Sequence, residues 1–119
     1  MITRKEQLRD ALAGLCADVI CGYPKVYTAG SLLCWRESGN ARFAQADGQE
    51  YLAELEYTLD IFAPSIEEAH AMHASADERM LGMGFRRESS AEIYEQNPAV
   101  CHISARYRAL ADAAGNNYQ

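Results

Sequence analysis

A chain of 119 residues is large enough for one domain with a hydrophobic core but not for two. Its net charge of -6 argues against a nucleic-acid surface, because neutralising phosphates requires a local excess of Lys and Arg. The amino terminus lacks the apolar core of a signal peptide and no run approaches the roughly eighteen apolar residues of a membrane span, so we expect a cytoplasmic protein without membrane contact.

The first predicted element is a helix that begins at Thr3. Thr3 and Glu6 have capping-box spacing, in which each side chain binds a free backbone N–H at the helix start. Apolar residues then recur at helical spacing, and Gly22 ends the pattern. The apolar stripe consists of Leu8, Leu12, Leu15 and Val19.

A hairpin arm is predicted at residues 29–50. This stretch is long for a connection, and Trp35 and Phe43 are its only large aromatic anchors, so we expect it to extend from the core as a docking element. The pattern predicts, in chain order, an edge strand at 23–27, a strand at 32–37, a turn at 38–40, a strand at 42–45 and a turn at 46–49.

The clearest pattern in the chain covers residues 51–61, where every odd position is apolar and most even positions are polar. Since side chains alternate faces along a strand, we expect a long strand with one buried and one wet face. Ser65 and Glu68 then form a second capping box, which starts a helix that stops at Gly82 or Gly84. Strands follow at 85–88, 93–95 and 100–110, and residues 111–119 are expected to be a flexible tail.

These elements predict a single α+β domain over residues 1–110, in the order α-β-β(arm)-β-α-β-β. A mostly antiparallel sheet with two one-sided helices can bury its apolar face by placing both helices on that face, which gives a two-layer sandwich. The other face then stays open. The open face carries Glu54, Glu56 and Asp60 on one strand and Arg106 and Arg108 on another. If the strands at 51–61 and 100–110 are neighbours, cross-strand pairs of opposite charge would stabilise them by about 0.2 to 1 kcal/mol for each pair.

The element order carries a family resemblance through five short motifs. They are Leu-Leu-Cys-Trp-Arg-Glu at 32–37, Asn40, Ala-Asp-Gly at 46–48, Leu-Asp-Ile-Phe at 59–62 and Met-Gly-Phe-Arg at 83–86. In this succession the chain resembles the small tail-completion proteins of long-tailed bacteriophages and prophages, which comprise tail terminators and tail-to-head joining proteins. It departs from them at 31–33, where Ser-Leu-Leu stands in place of a proline and tyrosine.

The resemblance implies a structural, non-enzymatic role in the host cytoplasm during assembly and then in the neck of the virion. Copies would form a hexameric ring, from monomers that close on their template, and bind the tail tube and the head connector. Ring contacts need two complementary patches on one chain, and the sequence offers acidic and basic stripes. The predicted interface residues are Arg36, Glu37, Asn40, Arg42, Glu54, Glu56, Arg86, Arg106 and Arg108, with Glu67 as a further acidic partner.

No catalytic, cofactor or metal site is predicted. His70 and His73 are three residues apart but lack a third ligand, and adjacent Cys101 and His102 point to opposite faces of a strand. The stripe that contains Glu54, Glu56, Thr58 and Asp60 is interpreted as solvated, which would leave no desolvated acid–base pair. The four cysteines lack CxxC spacing and are interpreted as small buried apolar residues in a reducing compartment.

Two alternatives from different classes remain open at this point. The weaker is a small enzyme with dispersed residues, which the sequence neither shows nor excludes, and the main one is a binding protein. The same elements could form a small ferredoxin-like ligand-binding or regulatory module. A thermal-shift screen separates this module from a structural protein, because a ligand that binds only the native state raises its stability.

Overall fold

The computed structural model describes residues 1–23 and 30–119. Within them the chain is a mixed α+β protein with two helices and one six-stranded mixed sheet, so the predicted α+β class is confirmed. The elements are α1 (Lys5–Leu12), β1 (Asp18–Cys21), β2 (Leu32–Ala46), β3 (Gln49–Ala63), α2 (Ile66–Gly82), β4 (Arg86–Ile93), β5 (Cys101–Asp112) and β6 (Asn117–Tyr118). None of the described helices is long and apolar enough to cross a bilayer.

The sheet order is β1-β2-β3-β5-β4, and β6 pairs with the end of β5. All described pairings are antiparallel except β1 with β2. The long strand predicted at 51–61 forms the centre of this sheet as β3. Its odd positions from Ala53 to Ile61 are fully buried, as predicted, whereas Tyr51 is half exposed.

One hydrophobic core joins both helices to these odd positions of β3. Leu8 and Leu12 of α1 enter it together with Met72 and Met80 of α2. We call the sheet side that carries Leu55, Tyr57 and Leu59 the core face, and the side that carries Glu54, Glu56, Thr58 and Asp60 the polar face. The helix α2 contacts β3, β4 and β5, and α1 contacts α2.

The helix α1 is shorter than predicted and lacks the capping box. The hydroxyl of Thr3 does not bind the helix start but donates to Glu37, 2.6 Å away, and Arg4 is the N-cap residue. The helix ends at Leu12, and the β-prone residues around Val19 pair with β2 instead of continuing the helix. Around Val19, pairing with the neighbouring strand β2 therefore decides the structure, although the apolar spacing alone is also typical of a helix. Most of the edge strand predicted at 23–27 lies outside the described residues.

The start of α2 agrees with the prediction. Ser65 is the N-cap, and its Oγ accepts a hydrogen bond from the backbone N–H of Glu68 at 3.2 Å. In place of the two strands predicted at 85–88 and 93–95 there is one strand, β4, which ends at Ile93, and its residues are all exposed.

The hairpin of β2 and β3 differs from the predicted arm. The turn expected at 38–40 is a β-bulge within β2, and the chain reverses only at Asp47 and Gly48. Both turn residues have positive φ, 53° and 76°, the conformation that a two-residue hairpin turn favours. The tip is exposed on both strands, and the side chain of Phe43 is 59% exposed. The molecule is elongated, with a longest dimension of 53 Å.

The carboxyl terminus is folded onto the domain rather than frayed. The buried guanidinium of Arg4 donates from Nε to Oδ1 of Asn117 at 2.8 Å and from Nη2 to the carbonyl of Asp112 at 2.6 Å. Asn117 also donates to the carbonyl of Met83 at 2.9 Å. A Cβ on Gly84 would lie 2.8 Å from the carbonyl oxygen of Asn117, so only glycine allows this approach.

Candidate functional site

The polar face carries charged side chains that pair across neighbouring strands. The register places Glu56 of β3 opposite Arg108 of β5. The guanidinium of Arg108 lies 2.9 Å from Glu54, 3.5 Å from Glu56 and 3.5 Å from Glu88. The predicted cross-strand pairing is therefore present for Arg108 and is made within one chain. Arg106 lies opposite Thr58 and makes no ion pair within the described residues.

The nine predicted interface residues do not form one surface. Six of them lie on the polar face, and the other three lie on the core face beside the amino terminus. Glu37 lies on the core face by ordinary alternation with Arg36, and a bulge between Glu37 and Gly39 brings Asn40 and Arg42 onto the same face, because the extra residue shifts the alternation by one. The six are Arg36, Glu54, Glu56, Arg86, Arg106 and Arg108, and the three are Glu37, Asn40 and Arg42.

The three residues on the core face hold the amino-terminal segment. Glu37 accepts hydrogen bonds from Thr3 and from the hydroxyl of Tyr57, the latter at 2.8 Å. Asn40 donates to the carbonyl of Ile2 at 2.8 Å. Arg42 lies 3.8 Å from Glu50, whose carboxylate accepts from the backbone N–H of Ile2. Their polar groups therefore have structural partners within the chain.

At the opposite end of the polar face, four ionisable side chains form a network whose two central members, Asp60 and His102, are buried. Nε2 of His102 lies 2.7 Å from Asp60, and Nδ1 of the same ring lies 2.7 Å from Glu95. Arg36 donates to the second oxygen of Asp60 at 3.1 Å. Phe62 stacks on the imidazole with a centroid distance of 4.2 Å. We call Arg36, Asp60, Glu95 and His102 the buried network.

The burial of this network corrects the interpretation of the polar stripe as solvated. Thr58 is only 3% exposed and Asp60 only 4%. The side chain of Phe62 lies over this end, and Tyr23 contacts Phe62 edge-on at a centroid distance of 6.0 Å. One sequence signal was available, since residues 59–63 read Leu-Asp-Ile-Phe-Ala, a nearly continuous apolar run typical of a strand covered on both faces.

The network is arranged for the charged forms of its members. Burial opposes the ionisation of Asp60, but hydrogen bonds from His102 and Ser104 outweigh it, so the pKa of Asp60 lies below its ordinary value. Burial likewise disfavours protonated His102, yet its hydrogen bonds to Asp60 and Glu95 raise its pKa above the ordinary value. A protonated imidazole donates from both nitrogens, which matches two carboxylates at 2.7 Å.

This arrangement favours stability over proton transfer. Both ring nitrogens of His102 are engaged by carboxylates, so neither is free to activate a nucleophile. The nearby thiol of Cys34 is buried, and burial together with the charge of Asp60 raises its pKa to about 12. A thiol with this pKa is protonated at neutral pH and is a poor nucleophile.

The remaining candidate ligands are dispersed. Among the described residues, no three His, Cys, Asp or Glu side chains are placed to share a metal ion. His70 is exposed and lies 3.9 Å from Glu92, whereas burial lowers the pKa of His73. The four cysteines are free, and Cys21 is exposed rather than buried as predicted.

Comparison with known proteins bears on this fold. No family model and no curated protein matches the chain. Among solved structures, a chain in the virion of a native gene transfer agent (GTA) particle is similar, with a TM-score of 0.59 and 13% sequence identity. The match covers 85% of this chain and 81% of that chain. At this identity the two chains share a fold across most of their length.

Proposed function

We propose that this protein is a structural component of a phage-like virion and acts in tail completion, as a tail terminator or a tail-to-head joining protein. The observation that carries the proposal is the fold similarity to a GTA virion chain over more than four fifths of both chains. The motif succession noted in the sequence points to the same class of protein. The role is non-enzymatic, since the ionisable side chains of the buried network bind one another.

In this proposal the domain is a two-layer sandwich, and copies associate head to tail into a ring, with six copies as the family resemblance implies. A ring of this kind uses two different patches on each copy. The polar face and the helices lie on different sides of the sheet, so they can contact two different neighbours. The exposed tip of the β2–β3 hairpin, with Phe43 59% exposed, extends from the core and is the proposed docking element for the tail tube or head connector.

Particle assembly in a producing host tests this role. A tagged copy of the chain should sediment with intact particles in a density gradient and be visible at the neck by electron microscopy. Particles made without the chain should have overlong tails if it terminates the tube, or separate heads and tails if it joins them. Intact, joined particles of normal length in the absence of the chain would contradict the proposal.

A further inference from the structure

A groove crosses the polar face between the paired charges and the buried network. Its volume is about 490 Å³, and it is open to solvent on one side. The register aligns Arg36, Thr58, Arg106 and Ser89 in one row across β2, β3, β5 and β4. We call this feature the arginine groove.

The arginine groove contains more hydrogen-bond donors than acceptors. Arg106 is exposed, and its guanidinium has no hydrogen bond or ion pair within residues 1–23 and 30–119. Arg36 uses Nη1 to bind Asp60, but its side chain remains 48% exposed, so other N–H groups face the solvent. Ser89 adds a hydroxyl to the same row. A ligand that fits this groove must supply acceptors, and carboxylates match guanidinium groups best.

The acidic residues next to the groove are already engaged. Glu54 and Glu56 bind Arg108, and Asp60 is buried against His102. The groove is therefore a positively charged region on a chain whose net charge is -6. Such a region attracts the acidic surface of a second copy and orients it.

One acidic surface of the chain is both exposed and available. Glu67 and Glu68 occupy the first turn of α2, and their carboxylates have no partner in the described part of the chain. Because α2 packs on the core face, this turn and the arginine groove lie on different sides of the sheet. One copy can then offer its groove to a neighbour while offering Glu67 and Glu68 to another.

From this placement we infer that the arginine groove binds the acidic first turn of α2 from a neighbouring copy. The inference rests on the proposed ring and names the two patches that form its interface. It differs from pairing through Arg108, because the carboxylates of Glu54 and Glu56 already engage that side chain.

Charge reversal tests the contact. Arg106→Glu, or Glu67→Lys together with Glu68→Lys, should weaken self-association at low salt by about tenfold or more, because each places like charges together. Combining all three substitutions should restore association. Arg9→Glu is the matched control for Arg106→Glu, since Arg9 is exposed on α1 and the net-charge change is the same. Sedimentation velocity gives the oligomer masses, and circular dichroism verifies folding of each variant.

A zero-length crosslink tests directly whether residue 106 of one copy lies next to Glu67 or Glu68 of another. In an Arg106→Lys variant, a carbodiimide should couple the new amine to Glu67 or Glu68 of another copy, and mass spectrometry should identify the linked peptides. Arg9→Lys should give no such link. Links to other carboxylates, or none at low salt and high concentration, would overturn the inference. Incorporation of the Arg106→Glu variant into particles at the normal level would also overturn it, while leaving the proposed function standing.

Discussion

The two ends of the polar face carry similar residue types in opposite environments. At the hairpin end, Glu54 and Glu56 are partly exposed and pair with Arg108 in contact with water. At the other end, Asp60 is nearly inaccessible and pairs with His102 and Arg36. Ion pairs on a surface stabilise little, whereas removing one partner of a buried pair is costly. The same alternating strand thus contains residues that tolerate substitution and residues that do not.

The largest expected effect comes from Asp60→Asn, which removes the buried carboxylate shared by His102 and Arg36 and leaves the buried His102 with only the partly exposed Glu95 as a charged partner. We expect the free energy of unfolding to fall by about 3 to 5 kcal/mol in urea denaturation. Glu54→Gln is the matched control on the same strand and face, and it should cost less than about 1 kcal/mol. If both variants lost the same free energy of unfolding, the charged residues at the two ends of the polar face would contribute equally to stability, which would contradict this comparison.

The pH dependence of stability should report the buried network. The pKa of His102 is raised above 6.5, so its contribution is complete below pH 6.5 and is lost as the pH rises through its folded-state pKa. The pKa of Asp60 is lowered below 3.8, so its contribution is present above pH 3.8 and is lost as the pH falls through its folded-state pKa.

Urea midpoints measured across this range, for the natural chain and for His102→Gln, test this expectation. The urea midpoint of the natural chain should exceed that of His102→Gln by the largest amount near pH 5. This difference in midpoint should become smaller as the pH rises through the folded-state pKa of His102. His73, whose pKa is lowered, acts in the opposite direction in both proteins and cancels in the comparison. A constant difference from pH 5 to pH 9 would contradict the assigned protonation of His102.

A smaller, local effect is expected from Glu95→Gln. Glu95 ties the segment at 94–100 to His102, and its side chain is one third exposed. Its replacement should raise amide hydrogen exchange at 94–100 by about tenfold, while β3 stays protected. Exchange that increases equally in β3 would indicate global unfolding instead.

The smallest effect on stability is expected at the hairpin tip. Phe43→Ser removes a side chain that is 59% exposed, so the free energy of unfolding should change by no more than about 0.5 kcal/mol. Incorporation into particles should nevertheless fall if the tip is the docking element. Normal incorporation would exclude Phe43 from docking, and a large loss of stability would show that the tip belongs to the core.

The sequence pattern predicted the elements whose periodicity and caps agree with each other. The strand at 51–61 and the helix after Ser65 satisfy both conditions, and both are present. The predicted first helix was too long because Val19 fits both a helical apolar stripe and a strand. Its pairing with Leu33 of β2 makes it part of a strand. Local sequence contains no information about that distant partner.

The candidate site was predicted less completely. Opposite charges at Glu56 and Arg108 indicated their pairing, because adjacent strands bring such residues together. The buried network was missed, since it requires Glu95 and His102 to meet Asp60 from separate parts of the chain. The role of Arg4 was missed for the same reason, because its partners Asp112 and Asn117 lie at the other end of the sequence.

The bulge in β2 also limits which length changes the chain can accept. Ser38 is the additional residue that places Asn40 on the core face, where it binds Ile2. Deleting Ser38 would move Asn40 to the polar face and Ala41 to the core face. The hydrogen bond from Asn40 to Ile2, which anchors the amino terminus, would then be lost. Insertions and deletions between homologous chains should therefore concentrate at Asp47 and Gly48 rather than within the strand, and an alignment that places a gap at Ser38 should show a compensating change near residue 40.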